Sequence, residues 1–183
     1  MKEATEFKQR WGYAHQLRPF AREQVASLPL AKEDLEFLVE AGLPGVLEWL
    51  KPLPLAKSLL PAGFDGLYAI AEAEGYLVCV QEGVGLVRLE AGSNLIQFLD
   101  SSVIQNARCN PLVDQRLDDL ESKARVSVAA VKILFRELWD ELIKTDPRIR
   151  ANRDCVWFPF LWEVEDYWEG EAERFAEERK TRN

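Results

Sequence analysis

The sequence predicts an α+β fold, and three observations lead to that prediction. Helical patterns occupy the first part of the chain, short apolar runs separated by turn residues follow, and helical patterns then return. Helices segregated from an antiparallel sheet are typical of the α+β class. The length of 183 residues suits one domain. We therefore expect a single domain over residues 1–183, with a small mixed or antiparallel sheet and helices at both ends.

The first helical region ends before a proline-rich stretch. Two helical pieces are predicted, broken by the turn at Leu28-Pro29, and the second runs from Lys32 to Ala41 with one apolar face. Gly42 suits the residue after a helix C-terminus, and Pro44 cannot continue the helix. Residues 44–61 hold four of the nine prolines. We expect them to be extended or rich in turns, because proline fixes φ and lacks a backbone donor.

Three short apolar runs predict the sheet: Leu67–Ala71, Tyr76–Gln81 and Leu86–Glu90. Glycine-containing turns separate them, so an antiparallel meander is predicted. The turn Gly83-Val84-Gly85 begins like a dinucleotide-binding fingerprint, but it lacks the third glycine and joins two strands. The turn therefore places no helix N-terminus where a pyrophosphate could bind, and we interpret it as a hairpin turn.

Helical periodicity resumes after the sheet. Ser93 or Asn94 is predicted to cap a helix that places Leu95, Phe98 and Val103 on one face. A long loop is predicted from Ala107 to Ser122, around Asn110-Pro111.

Two further helices are predicted towards the end of the sequence. The longer pattern covers residues 124–145 and stops at Asp146-Pro147, because a residue before proline disfavours the helical conformation. The last runs from about Phe158 to Arg179. The tryptophans Trp157, Trp162 and Trp168 lie near helical spacing there, so packing is favoured over ligand binding.

The residues suited to catalysis or metal binding do not form a recognisable site. His15 is the only histidine and lies in a polar segment. The three cysteines are too far apart for a zinc site, and Cys79 fits a buried strand position. Acidic pairs such as Glu72/Glu74 or Asp118/Asp119 are better explained as solvated surface. We expect no enzyme activity, metal or cofactor.

The formal charge of −8 argues against a non-specific nucleic-acid binder. The charge is uneven: residues 1–32 carry six basic and three acidic side chains, whereas residues 33–107 carry three and eleven, and residues 163–183 carry four and eight. An acidic face of this kind fits a basic protein partner. The segment MKEATEFKQRWGY has no apolar signal-peptide core, and no apolar run reaches about 18 residues, so we expect a cytoplasmic protein.

Short motifs in a particular order resemble a known family. Arg10-Trp11-Gly12 comes first, Phe37-Leu38-Val39-Glu40-Ala41-Gly42-Leu43-Pro44 ends a helix, and Ser93-Asn94-Leu95-Ile96-Gln97-Phe98-Leu99 follows the strands. This order resembles the SUKH superfamily, most closely its SUKH-4 branch, over roughly residues 10–105. Residues 124–179 match only as a mostly helical C-terminal part.

The resemblance implies a compact α+β fold with a curved sheet and no catalytic centre. Many bacterial members look like immunity proteins that bind a nuclease or deaminase toxin domain and neutralise it by occlusion. We therefore expect an immunity-type protein. A regulatory adaptor of the same superfamily is the alternative, and a hydrolytic enzyme using His15 or a carboxylate pair is the third hypothesis.

Charge alone selects the candidate contact residues for a basic toxin domain. One group lies near the predicted sheet and the other lies in the last helix. They are Glu72, Glu74, Glu82 and Glu90, together with Glu163, Glu165, Asp166 and Glu169.

Overall fold

The computed structural model describes residues 1–11, 17–44, 51–52, 66–73, 75–90, 92–93 and 95–181. His15, Glu74 and Asn94 lie outside these ranges, as does most of the proline-rich stretch. The described elements follow in this order: α1 Lys2–Trp11, β1 Leu17–Arg18, α2 Arg22–Val25, α3 Lys32–Glu40, β2 Leu43–Pro44, β3 Lys51–Pro52, β4 Leu67–Ala73, β5 Tyr76–Gln81, β6 Gly85–Glu90, β7 Ile96–Asp100, α4 Val103–Asp118, α5 Leu120–Ala124, α6 Val128–Thr145, α7 Arg148–Ala151 and α8 Trp157–Thr181.

The predicted α+β class is confirmed. Strands β4, β5, β6 and β7 form an antiparallel meander in sequence order, and the two-residue β3 pairs with β4 at its edge. Helices precede and follow the sheet. The described chain clusters into two compact units, Met1–Arg108 and Cys109–Asn183, so a single domain over the whole chain stays a prediction.

The sheet of the first unit has apolar side chains on both faces. One face carries Ile70, Val80 and Leu86, which belong to the core cluster that also contains Phe37 and Leu38 of α3. The other face carries a second buried cluster: Leu67, Ala69, Cys79, Val87 and Leu89. Successive strand residues point to opposite faces of a sheet. Since both faces are apolar here, the strand sequences are nearly continuous apolar runs.

At two positions the backbone lies so close to another segment of the chain that only glycine fits. Gly42 follows α3 with φ at +72°, and a Cβ there would lie 2.0 Å from the Arg18 carbonyl oxygen. Gly85 starts β6 with φ at +120°, and its Cβ would lie 2.4 Å from the Ser101 carbonyl oxygen. The predicted helix end at Gly42 and the predicted hairpin turn at Gly83-Val84-Gly85 are both confirmed.

The helix predicted to begin at Ser93 or Asn94 is wrong. Residues Ile96–Asp100 form β7, which pairs with β6 and places Phe98 opposite Val87. Ser93 instead stabilises the turn, where its hydroxyl donates to Glu90 at 2.7 Å. The alternating order Ile96-Gln97-Phe98 also suits a strand, and pairing with the backbone of β6 decides between the two periods.

The loop predicted around Asn110-Pro111 is also wrong. Helix α4 runs through it, with Pro111 inside and with Cys109 and Val113 buried. Two side chains cap its N-terminus: Asp34 accepts from the Ile104 N–H at 2.9 Å, and Ser102 accepts from the Gln105 N–H at 3.2 Å. An interior proline costs about 3 kcal/mol. We attribute its tolerance to these caps and to the buried side chains.

The second unit is helical, and the predicted long helix is confirmed with a later start. Ser127 caps α6 by accepting from the Ala130 N–H at 3.2 Å, which separates α6 from the short α5. The buried face of α6 carries Val131, Leu134, Phe135, Leu138 and Leu142. Asp146 ends α6, and its carboxylate accepts from the Arg148 N–H at 3.0 Å. The predicted last helix is confirmed as α8.

Candidate functional site

The described residues were considered first as metal ligands and nucleophiles, the groups that the sequence offers for chemistry. They contain no group of three or more His, Cys, Asp or Glu side chains that could hold a metal ion. Cys79 is buried, as predicted, and burial raises the pKa of its thiol to about 12. The thiol is therefore protonated near neutral pH and is a poor nucleophile. The predicted acidic contact residues are the next candidates for a functional surface.

The acidic residues of the sheet do not form one surface. Glu72 is opposite Leu77, and Glu90 is opposite Tyr76. Leu77 and Tyr76 pack on the two different faces of the sheet, so their cross-strand partners point to opposite faces as well.

Glu82 lies at the other end of the same strands. It follows Gln81, the last residue of β5, whereas Glu72 and Glu90 pair near the start of β5. At about 3.3 Å per residue, Glu82 is roughly 17–20 Å from them along the strand. Glu90 also accepts a hydrogen bond from the Ser93 hydroxyl. The sheet residues therefore offer separate charges rather than a shared patch.

The acidic residues of α8, in contrast, lie together. Glu163, Glu165, Asp166 and Glu169 fall within two turns of one helix, and a helix rises about 1.5 Å per residue. Glu163 and Asp166 are exposed, whereas Glu165 and Glu169 are half-buried. The Glu169 carboxylate pairs with the Lys132 ammonium at 3.1 Å. Helix α8 thus concentrates negative charge near its first half.

The buried face of α8 determines which aromatic rings reach solvent. Trp157, Leu161 and Ala172 are buried and share one side, since successive helix residues are about 100° apart. Trp162 falls outside this side and is 72% exposed. The predicted packing role is confirmed for Trp157, and Trp168 is half-buried. For Trp162 the prediction is wrong, because the helical spacing of aromatic residues does not by itself say which side of the helix is buried.

Two further aromatic residues on α8 were not predicted as site residues. Tyr167 is 62% exposed and Phe160 is 38% exposed. Their spacing to Glu163, four residues after and three residues before it, makes all three neighbours on the helix. Assigning the buried side of the helix first would have found Tyr167, which falls away from Trp157 and Leu161. Phe160 lies nearer the buried side, and its ring meets that of Trp157 edge-to-face with centroids 6.3 Å apart.

These residues define an exposed surface that we call the α8 face: Phe160, Trp162, Glu163, Asp166 and Tyr167. Trp162 and Asp166 are four residues apart, as are Glu163 and Tyr167, so each ring neighbours a carboxylate. Arg174, further along α8, is bonded to Glu171 and Glu178 at 2.6 and 2.7 Å. The α8 face is therefore both aromatic and acidic.

Beside this face, the environment of Glu165 disfavours its charged form. Burial raises the pKa of the Glu165 carboxyl, the neighbouring Glu169 raises it further, and Lys132 opposes both. In the described part of the chain, no cation lies within ion-pair distance of Glu165. Among the described residues, Glu165 is thus a half-buried carboxylate with no cation in direct contact.

No helix in the described residues is long and apolar enough to span a membrane. In comparisons with known proteins, no family model, no curated protein and no solved structure matched this chain. The resemblance to the SUKH superfamily stays a prediction.

Proposed function

We propose that this chain is an immunity-type protein that binds a basic toxin domain, a nuclease or a deaminase, and neutralises it by occlusion. The observation that carries the proposal is the α8 face, where exposed aromatic rings alternate with exposed carboxylates. Binding would occur in the cytoplasm of the producing cell. Occlusion requires no chemistry from this chain.

The aromatic rings supply the affinity in this proposal. Trp and Tyr are enriched among the interface residues that carry most of the binding energy. Burying one large aromatic side chain contributes roughly 1.5–3 kcal/mol, and both Trp162 and Tyr167 are largely exposed. A partner that covers them therefore gains binding energy that the isolated chain does not realise.

The carboxylates supply complementarity to a basic partner. An enzyme that acts on nucleic acid holds phosphates with Lys and Arg side chains. Glu163 and Asp166 are exposed beside the aromatic rings, so they would attract such a surface during diffusion and orient it. Electrostatic steering can raise association rates to about 10⁸–10⁹ M⁻¹s⁻¹ at low salt.

The proposal is tested by co-expressing this chain with the toxin encoded by the adjacent gene of its native genome. We expect the wild-type chain to restore growth and to co-purify with the toxin domain. The double variant Trp162→Ala/Tyr167→Ala should lose both effects, because it removes the two most exposed rings of the α8 face.

A matched control removes exposed apolar side chains elsewhere. Leu95 and Val126 are 48% and 66% exposed, and Leu95→Ala/Val126→Ala should neutralise the toxin as the wild type does. Wild-type chain that neither binds nor protects would overturn the proposal. A complex that forms without protection would favour the adaptor hypothesis instead.

A further inference from the structure

We propose that Glu165 and Trp162 together form a receptor for an arginine side chain of the partner protein. The inference rests on the proposed function, because it names the partner group that docks beside the α8 face.

The helix brings the two side chains together. Trp162 and Glu165 are three residues apart on α8, and such residues are neighbours with Cβ atoms about 5–6 Å apart. Side chains on a helix tilt towards its N-terminus. The Glu165 carboxylate therefore extends towards the turn that carries Trp162, whose ring is 72% exposed.

The surroundings leave the negative charge of Glu165 incompletely balanced. Lys132 is the cation that acts on it, but the Lys132 ammonium is bound to Glu169 at 3.1 Å. Glu169 is itself a second carboxylate one turn further along. A cation that reaches Glu165 from outside would therefore meet two carboxylates and one lysine, a net attraction.

An aromatic pair lies one turn before Trp162. Phe158, one turn before Trp162, stacks on Trp139 of α6 with ring centroids 4.7 Å apart. The receptor thus has an apolar border at Phe158 and an acidic border at Glu169.

Arginine suits this site better than lysine. A guanidinium is planar, stacks on an indole face and donates two parallel hydrogen bonds to one carboxylate. Trp162 offers the exposed indole, and Glu165 offers the carboxylate. A lysine ammonium is more strongly hydrated and cannot make the paired hydrogen bonds, so it would gain less from the same two side chains.

The inference is tested with an oligoarginine peptide and an oligolysine peptide of equal length, added to the isotope-labelled full chain at physiological salt. The indole N–H signal of Trp162 is assigned by its disappearance in Trp162→Phe. We expect the arginine peptide to shift this signal saturably, and the lysine peptide to bind at least about threefold more weakly.

Two charge-matched variants separate a receptor from general attraction. Glu165→Gln and Glu173→Gln each remove one negative charge from α8, and Glu173 is exposed and two turns away. Glu165→Gln should weaken the arginine peptide about tenfold, and Glu173→Gln less than about twofold. Glu165→Gln should melt no lower than the wild type, because it removes a carboxylate that burial and Glu169 disfavour.

Equal weakening by the two variants, or a Trp162 signal that does not move, would overturn the receptor. The titration requires no toxin, so these results would leave the neutralisation experiment unaffected. Conversely, peptide binding as expected combined with failure to protect against the toxin would overturn the proposed function and retain an arginine-binding site.

Discussion

The acidic residues of the sheet and those of α8 look equivalent in the sequence, yet the fold treats them differently. Glu72 and Glu90 point to opposite faces of the sheet, and Glu82 lies at its far end. Glu163, Glu165, Asp166 and Glu169 share two turns of one helix with exposed aromatic rings. Charge density alone therefore does not identify an interface, and the relevant property is which charges share a face with exposed apolar side chains.

The contrast between α8 and the sheet predicts its largest effect on the affinity for the toxin domain. Trp162→Ala should weaken binding to the toxin domain by about 100-fold, the size of a hot-spot truncation. Glu72→Gln and Glu90→Gln should each weaken it by less than about threefold. The dissociation constants can be measured by calorimetry with purified proteins. Larger losses from the sheet variants would move the binding surface to the sheet.

Glycine substitutions in the sheet and in α8 should change the free energy of unfolding in opposite directions. Gly85→Ala should lower the free energy of unfolding by about 3 kcal/mol, because φ is +120° there and the new Cβ would lie 2.4 Å from a backbone oxygen. Chemical denaturation measures the change. An unaltered midpoint would show that the start of β6 is not held against Ser101.

Gly170→Ala should act in the opposite direction on α8. Nothing lies within 4 Å of the added Cβ, and alanine favours an exposed helix interior by about 1 kcal/mol over glycine. The melting temperature should therefore rise. A fall would indicate that this part of α8 is not a regular helix in solution. Toxin affinity should not change, since Gly170 lies outside the α8 face.

A smaller effect is expected on the rate at which the toxin domain associates with the α8 face. The variant Glu163→Gln/Asp166→Asn should reduce the association rate about fivefold at low salt and flatten its dependence on salt, because exposed charges act mainly during encounter. Glu82→Gln should leave both unchanged. Stopped-flow measurements at several salt concentrations provide the test. A dissociation rate that changes more than the association rate would contradict the steering role.

The smallest effect is on the pH dependence of stability. The folded state raises the pKa of Glu165 above its ordinary value of 4.5, so the folded state binds its proton more readily than the unfolded state. As pH rises from 4.5 through the raised pKa, the wild type loses stability that Glu165→Gln does not lose. Between pH 4.5 and neutral pH, the free energy of unfolding of the variant should therefore rise relative to that of the wild type by less than about 1 kcal/mol.

Melting curves of both proteins at about pH 4 and pH 7 measure this difference. The pKa of Asp34 is also raised by burial, but its contribution is the same in both proteins and cancels. A constant difference between the two pH values would show that Glu165 titrates as an ordinary surface carboxylate. It would also remove one support for the arginine receptor.

The errors of the sequence-based prediction have a common cause. Leu95, Phe98 and Val103 fit a helical period, but Ile96, Gln97 and Phe98 also fit a strand, and only the open edge of β6 decides for the strand. Pro111 predicted a loop, yet Asp34 from a distant helix caps α4 and the chain continues as helix. Ser102 and Gln105 are three residues apart, which is a capping pattern that can be seen in the sequence. The cap from Asp34 cannot be seen there, because Asp34 lies 70 residues before Ile104 in the chain.

Local sequence patterns were enough to predict the α+β class, the hairpin at Gly83-Val84-Gly85, the end of α3 at Gly42 and the helices α6 and α8. These features follow from local periodicity, capping residues and backbone freedom, which act within a few residues. Long-range packing places residues 96–100 in the sheet and points the sheet carboxylates apart. It also leaves Trp162 and Tyr167 exposed to solvent beside Glu163 and Asp166. Strand pairing and burial depend on residues far apart in the chain, so a local pattern leaves more than one arrangement possible.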